Sequence, residues 1–314
     1  MRSAKNRVFN IIDPPLIILI YHRVADLPSD PEMLAVSLEN FRRQMEFLKR
    51  NFRILRFEEE WSDLKEPAVV ITFDDGYADN FLEALPILEE ARVPATFFVS
   101  TGHIGTDREF WWHRLEALLL DDGEYPARFE LNDSRHGRVW FTASSEQRKV
   151  MYRTLNELMQ KIDPDRRKVW LDQVAQWAGR DKDGGRSLHR SMTREELKTL
   201  AASPWATVGA HTVTHTALSG LTEEQQRHEI VSSRRDLEKI TGREITTFSY
   251  PFGRKQDYDR TSVRLCREAG FMKAAANFPG QVHRWTDRFQ LPRHLVRNWD
   301  VETFAAEIKG FWTR

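Results

Sequence analysis

Three uninterrupted apolar runs constrain this chain more than any other feature: Leu16–Tyr21 (LIILIY), Ala68–Phe73 (AVVITF) and Ala95–Ser100 (ATFFVS). A strand wetted on one face alternates polar and apolar residues, whereas a strand covered on both faces reads as a continuous apolar run. Between the runs lie stretches with helical spacing. Ser37–Asn51, for example, sets Leu38, Phe41, Met45 and Leu48 on one side. Phe52–Leu55, Ala206–Ala210, Ile245–Tyr250 and Met272–Ala275 read as further strands. Asn80–Ala91, Thr222–Thr241, Gln256–Ala269 and Val301–Phe311 read as further helices. Buried strands separated by helices specify an α/β fold on a parallel sheet. Periodicity does not decide between a closed barrel and an open sheet, but either form places its active site at the C-terminal strand ends.

The alternation lapses between about Ile104 and Ser191, a stretch that holds Trp111, Trp112, Trp140, Trp170 and Trp177. Arg128–Leu131 and Arg138–Phe141 flank a turn-rich Asn132–Gly137 and read as a hairpin. Glu146–Ile162, with Ser144 as its cap, and Asp165–Trp177 read as helices, and Asp181–Arg186 as a loop. The expectation is one catalytic domain over residues 1–314 with a mostly helical insertion at about 104–191.

Composition narrows the function classes. Lys+Arg and Asp+Glu both number 47, so the formal net charge is zero and the global basic footprint of a nucleic-acid binder is missing. The lone cysteine, Cys266, cannot form an intramolecular disulfide and reads as a small buried hydrophobe. The basic stretch Met1–Asn10 precedes an apolar run too short for a signal peptide or a membrane span. A cytoplasmic protein is expected, with a peripheral position at the inner membrane face as a variant of that expectation.

Two constellations carry chemistry. In Thr72-Phe73-Asp74-Asp75-Gly76-Tyr77, two adjacent carboxylates end a buried strand, and a glycine turns the chain at once. Two negative charges there are costly without a cation or hydrogen-bond donors. The competing reading makes Asp75 and Asp79 helix caps and leaves Asp74 in a turn. The second constellation, His211-Thr212-Val213-Thr214-His215, follows the strand Ala206–Ala210. Histidines four apart share a face if the segment is helical or nearly so, and both rings then reach one ion. Asp75, His211 and His215 together offer the three protein ligands of a catalytic zinc site, and Asp74 is left beside the ion, free to take a proton from water.

With Phe248-Ser249-Tyr250-Pro251-Phe252-Gly253, these motifs resemble the polysaccharide deacetylase family, carbohydrate esterase family four, over roughly Ile17–Ser100 and Met192–Val296. The resemblance implies a distorted (β/α) barrel of about seven parallel strands and a divalent, zinc-type cofactor. It makes Asp74 the base, Asp75, His211 and His215 the metal ligands, and the Phe252 backbone N–H an oxyanion donor. It implies an N-acetylated poly- or oligosaccharide or lipid-linked sugar as partner. Family members often carry an arginine, supporting the base, where Ser249 stands; Arg293 of Leu291-Pro292-Arg293-His294 is the substitute expected here. His294 fits an L-x-x-H acid motif, whereas Tyr21-His22-Arg23-Val24 is similar to the acid-bearing segment of a subgroup acting on exopolysaccharide. His22, at a strand end, is the preferred acid.

Other readings remain at this point: an O-acetyl esterase or other amidase on the same scaffold, a metal-free glycosidase, or a non-catalytic carbohydrate-binding homologue. Adjacent carboxylates fit a glycosidase poorly, since its carboxyl groups stand about 5–9.5 Å apart. Phe110-Trp111-Trp112-His113 reads as core packing or as an aromatic platform for a sugar. His103 and His113 read as incidental, and His136, His189, His228 and His283 form no motif.

Overall fold

A computed structural model describes residues 10, 12–61, 64–180 and 185–313. Eight strands build the main sheet: β1 Leu16–Tyr21, β2 Arg53–Leu55, β3 Ala68–Phe73, β4 Ala95–Val99, β5 Ala206–Ala210, β6 Thr247–Ser249, β7 Lys273–Ala275 and β8 His294–Leu295. All pair in parallel, in the order β7-β6-β5-β4-β3-β1-β8. β2 lies off this path, on the first half of β3 (Arg53↔Ala68 to Leu55↔Val70); β4 takes the second half (Thr72↔Thr96, Phe73↔Phe97). The sheet curls into a distorted (β/α) barrel. The segment leading into β8 spans the remaining gap, pairing Leu291 with Ala275 and then His294 with Leu19.

The apolar runs are continuous because each strand serves two cores. Ile17, Leu19, Tyr21, Val69, Ile71 and Phe73 pack against the surrounding helices. Leu16, Ile18, Ala68 and Val70 point the other way and join Phe98, Ala275 and Leu291 in a second cluster. Side chains alternate along a strand. The inward set Ala68, Val70 and Thr72 therefore continues to Asp74, one step past the end of β3, and carries its carboxylate to the barrel mouth.

The helix Leu38–Asn51 starts where Ser37 accepts a hydrogen bond from the Asn40 N–H, and it buries Phe41, Met45 and Leu48 as its spacing predicts. Other boundaries moved for local reasons. The helix expected from Gln256 begins at Arg260, because Asp259 caps it by accepting from the Ser262 N–H. Asn80–Ala91 opens with a π-turn, Asn80–Ala84, before Leu85–Ala91 becomes α-helical; Pro86 has no N–H to give to a preceding turn. The helices Trp111–Leu120 and Arg194–Ala202 were not anticipated, nor was the short pair Arg23–Val24 with Ala35–Val36.

The expected insertion contains the hairpin Arg128–Leu131/Arg138–Phe141 and the helices Ser145–Met159 and Pro164–Ala178. Its tryptophans pack together: Trp112, Trp140 and Trp170 form a separate hydrophobic cluster with Phe110, Leu115 and Leu155. Tyr77 belongs to that cluster and Phe252 packs against it, so the loop after β3 and the turn after β6 both touch this segment. Of the expected loop at 181–186, residues 181–184 lie outside the described residues, as do residues 1–9 of the basic N-terminal stretch. Among the described residues no helix is long and apolar enough to cross a membrane.

Cys266 is fully buried in Arg260–Glu268, and burial pushes its thiol well above the ordinary range. The native protein should resist alkylation at neutral pH and release one reactive thiol per chain on unfolding in urea. Stoichiometric labelling of the folded protein would refute the buried placement.

Candidate active site

The turn after β3 is set by the backbone before any side chain acts. Asp75 adopts φ +79° and Gly76 φ +89°. A Cβ on Gly76 would stand 2.8 Å from Val99 Cγ1, so only glycine fits. The Asp74 N–H donates to the Tyr21 carbonyl (3.0 Å) and the Ser100 N–H to the Asp75 carbonyl (3.1 Å), which ties the turn to both neighbouring strand ends. The competing capping reading does not hold for Asp79. It makes no cap hydrogen bond and instead pairs with Arg23 (2.9 Å), both side chains being buried.

The histidine segment departs from the expected helical geometry. Thr212 and His215 both take left-handed backbone, φ +63° and +52°, and no helix forms across 211–215. The rings converge all the same, with centroids 4.9 Å apart. Asp75 Oδ1 lies 3.5 Å from His211 Nε2 and 3.1 Å from His215 Nε2, and all three residues are almost fully buried.

These residues fit a divalent cation. His211 Nδ1 is 2.7 Å from the Ser249 carbonyl, which can only accept, so Nδ1 carries the hydrogen and a neutral ring turns its Nε2 lone pair toward the carboxylates. Asp75 Oδ1 is buried and makes no hydrogen bond. Lone pairs facing one another at such distances call for positive charge between them. The neighbouring groups also shift one another's protonation. Burial alone would raise Asp75, yet His215 and His211 hold it well below the ordinary carboxylate range. Burial alone would lower His211, yet Asp74, Asp75 and the Ser249 carbonyl raise it.

Asp74 is treated differently. Arg293 clamps it bidentately, Nη1 to Oδ1 and Nη2 to Oδ2, each at 2.7 Å. The guanidinium is itself held by the Ala276 carbonyl (2.8 Å) and Thr72 Oγ1 (3.1 Å). Burial pushes Asp74 up, but Arg293, then His211, bring it below its usual value, so it stays ionised. Arg293, the residue the sequence suggests as support for Asp74, thus lies against that carboxylate. Ser249 was credited with no part; its hydroxyl donates to Asp74 Oδ2 (3.0 Å) and accepts from Arg293 Nη2 (2.8 Å).

A cavity of about 310 Å³ opens over the cluster, lined in part by Asp74, Asp75, His211, His215, His22 and Phe252. His22 follows β1, and its value is pulled down by burial, against the opposing pull of Asp75 and Asp74. His294 is not brought to the cluster: its ring stacks on Phe311 at 3.9 Å and Nε2 faces the Gly280 carbonyl at 3.0 Å. Phe252 has φ +59° and sets its ring edge-on against His215, 4.8 Å away. Trp111 and Trp112 turn out to be both core and wall. They are 7% and 5% exposed, yet both line the cavity, and Trp112 packs on His215 at 4.8 Å. Asn156 and Gln160, on and just after the helix Ser145–Met159, also line the cavity, as do Glu32, Arg254 and Arg297. No motif or spacing announced these five.

The family model for polysaccharide deacetylases matches residues 62–170 and 173–274, about two thirds of the chain. The chain belongs to the polysaccharide deacetylase family. YxkH of Bacillus subtilis (strain 168), which carries the same family description, is 23% identical over 289 residues, covering 90% of this chain and 71% of the relative. Among solved structures, IcaB from Ammonifex degensii has a TM-score of 0.60 at 19% identity, covering 96% of this chain and 98% of its own. The Streptococcus pyogenes deacetylase PplD, in complex with acetate, has a TM-score of 0.58 at 17% identity, covering 94% of this chain and 98% of its own. At these identities the structural likeness speaks to the fold.

Removing the Arg293 clamp leaves a buried carboxylate uncompensated. Arg293→Ala should cost about 3–5 kcal/mol of unfolding free energy, and the double variant with Asp74→Asn should regain part of that loss. Urea melts of the single and double variants measure both; an Arg293→Ala protein as stable as the parent would remove the clamp.

Proposed function

We propose that this deacetylase-family chain is a metal-dependent hydrolase that removes N-acetyl groups from an N-acetylated poly- or oligosaccharide or a lipid-linked sugar. One observation carries the reading: Asp75 Oδ1 and two histidine Nε2 atoms converge, with one ring fixed by a carbonyl so that its lone pair points inward. A divalent cation of the zinc type, held by Asp75, His211 and His215, would polarise the amide carbonyl and make water more acidic.

The chain's own residues divide the remaining work. Asp74, kept ionised by Arg293, takes the proton from the attacking water. The Phe252 N–H, presented by left-handed backbone at the cavity wall, donates to the developing oxyanion. His22 hands a proton to the departing sugar amine. Phe110, Trp111 and Trp112 keep bulk water from the His215 side. The single-domain organisation, with the insertion at about 104–191 forming one wall of the site, belongs to the same proposal.

A panel of defined N-acetylated glycans, incubated with zinc-loaded protein and read by mass spectrometry and amine labelling, tests the function. Loss of acetyl with a new free amine is expected. Acetate release without a new amine would indicate an O-acetyl esterase instead, and activity undiminished by a chelator would overturn the metal role. Asp74→Asn should abolish turnover while zinc still binds, whereas Asp75→Ala and His211→Ala should lose both, as read by metal analysis of the purified variants. His22→Asn should slow amide hydrolysis by about 10²–10⁴-fold and affect an activated acetate ester far less, because only the amine needs a proton to leave. Equal losses on the two substrates would reject His22 as the acid.

A further inference from the structure

Arg167 and Glu229 are two oppositely charged side chains, 3% and 4% exposed, that do not touch. Arg167 belongs to the insertion helix Pro164–Ala178 and Glu229 to the barrel helix Glu223–Thr241. Among the described residues no carboxylate pairs directly with Arg167. Between the two lies the histidine segment. Arg167 Nη2 donates to Thr216 Oγ1, Thr216 Oγ1 is 2.9 Å from Thr214 Oγ1, and Thr214 Oγ1 is 2.6 Å from Glu229 Oε1. The direction of each hydrogen is forced. A guanidinium only donates and a carboxylate only accepts, so Thr214 gives its hydrogen to Glu229 and Thr216 gives its own to Thr214. The second oxygen of Glu229 accepts the Val213 and Thr214 N–H groups at 2.7 and 2.9 Å.

We infer that this chain, Arg167–Thr216–Thr214–Glu229, positions His215 and so tunes the affinity of the metal centre from the insertion. The inference rests on the metal-dependent reading above. Left-handed backbone at Thr212 and His215 costs on the order of 1–3 kcal/mol per residue and persists only where its surroundings over-determine it. Glu229 grips the middle of the segment from the barrel side, and Arg167 holds Thr216, next to His215, from the insertion side. The two charges are balanced through the hydroxyls rather than in contact, so each depends on the segment lying between them. Arg167 also sits over the Trp111 ring at 5.1 Å, which joins the chain to the cavity wall. The four are positioning residues; none reaches the reacting atoms.

Competition titration of metal-stripped protein against a chromophoric zinc chelator is one readout; hydrogen exchange of the Val213 and Thr214 amides, without metal, is the other. Thr216→Val, Arg167→Met and Glu229→Gln should each weaken zinc binding by about 10–100-fold and speed exchange at both amides. Thr216→Ser should restore both. Thr216→Val is nearly isosteric and keeps the test open if Arg167→Met does not fold. Zinc affinity and amide protection unchanged in Thr216→Val and Glu229→Gln would overturn the inference while leaving the metal reading intact. A parent protein that binds no zinc would overturn the metal reading itself.

Discussion

Two carboxylates buried side by side at the end of a parallel strand are the constraint around which this molecule is arranged. Asp74 and Asp75 are 3% and 2% exposed, and neither charge is tolerable there alone. They are satisfied in different ways. Asp74 points into the barrel, where Arg293 closes a two-pronged bridge and Ser249 and Thr72 complete the polar shell. Asp75 turns outward on left-handed backbone and meets two imidazoles in place of a guanidinium. One carboxylate is thereby locked as an anion, and the other lies open to a cation.

Backbone strain follows the same map. Among the described non-glycine residues with positive φ, Asp75, Thr212, His215 and Phe252 all line or adjoin one cavity. Such conformations survive where neighbours leave no alternative. Strand-end hydrogen bonds fix Asp75, and Glu229 holds the histidine segment.

The tryptophan-rich segment 104–191 is part of this arrangement. Its tryptophan-rich cluster reaches the loop after β3 through Tyr77 and the turn after β6 through Phe252, and Trp112 lies on the His215 imidazole. The sequence shows five tryptophans and a break in alternation there, enough to expect an inserted segment. It does not show which faces of that segment meet the barrel, because Asn156 and Gln160 look like any polar residues of a surface helix until the cavity beside them is known.

The chain's local pattern determined the parallel sheet and the strand ends bearing Asp74, Asp75 and His211, since burial on both strand faces and abrupt glycine turns leave their marks residue by residue. Tertiary structure alone decided how the histidines meet, through left-handed backbone rather than a helix, and that the Ser249 hydroxyl joins Arg293 on Asp74. Arg293 reaches Asp74 across 219 positions and Ser249 across 175. It also separated His22, at the cavity, from His294, which is stacked on Phe311. Periodicity reports what a residue's own segment buries; it carries no information about which other segment lies opposite, and the chemistry of this site resides in those opposing pairs.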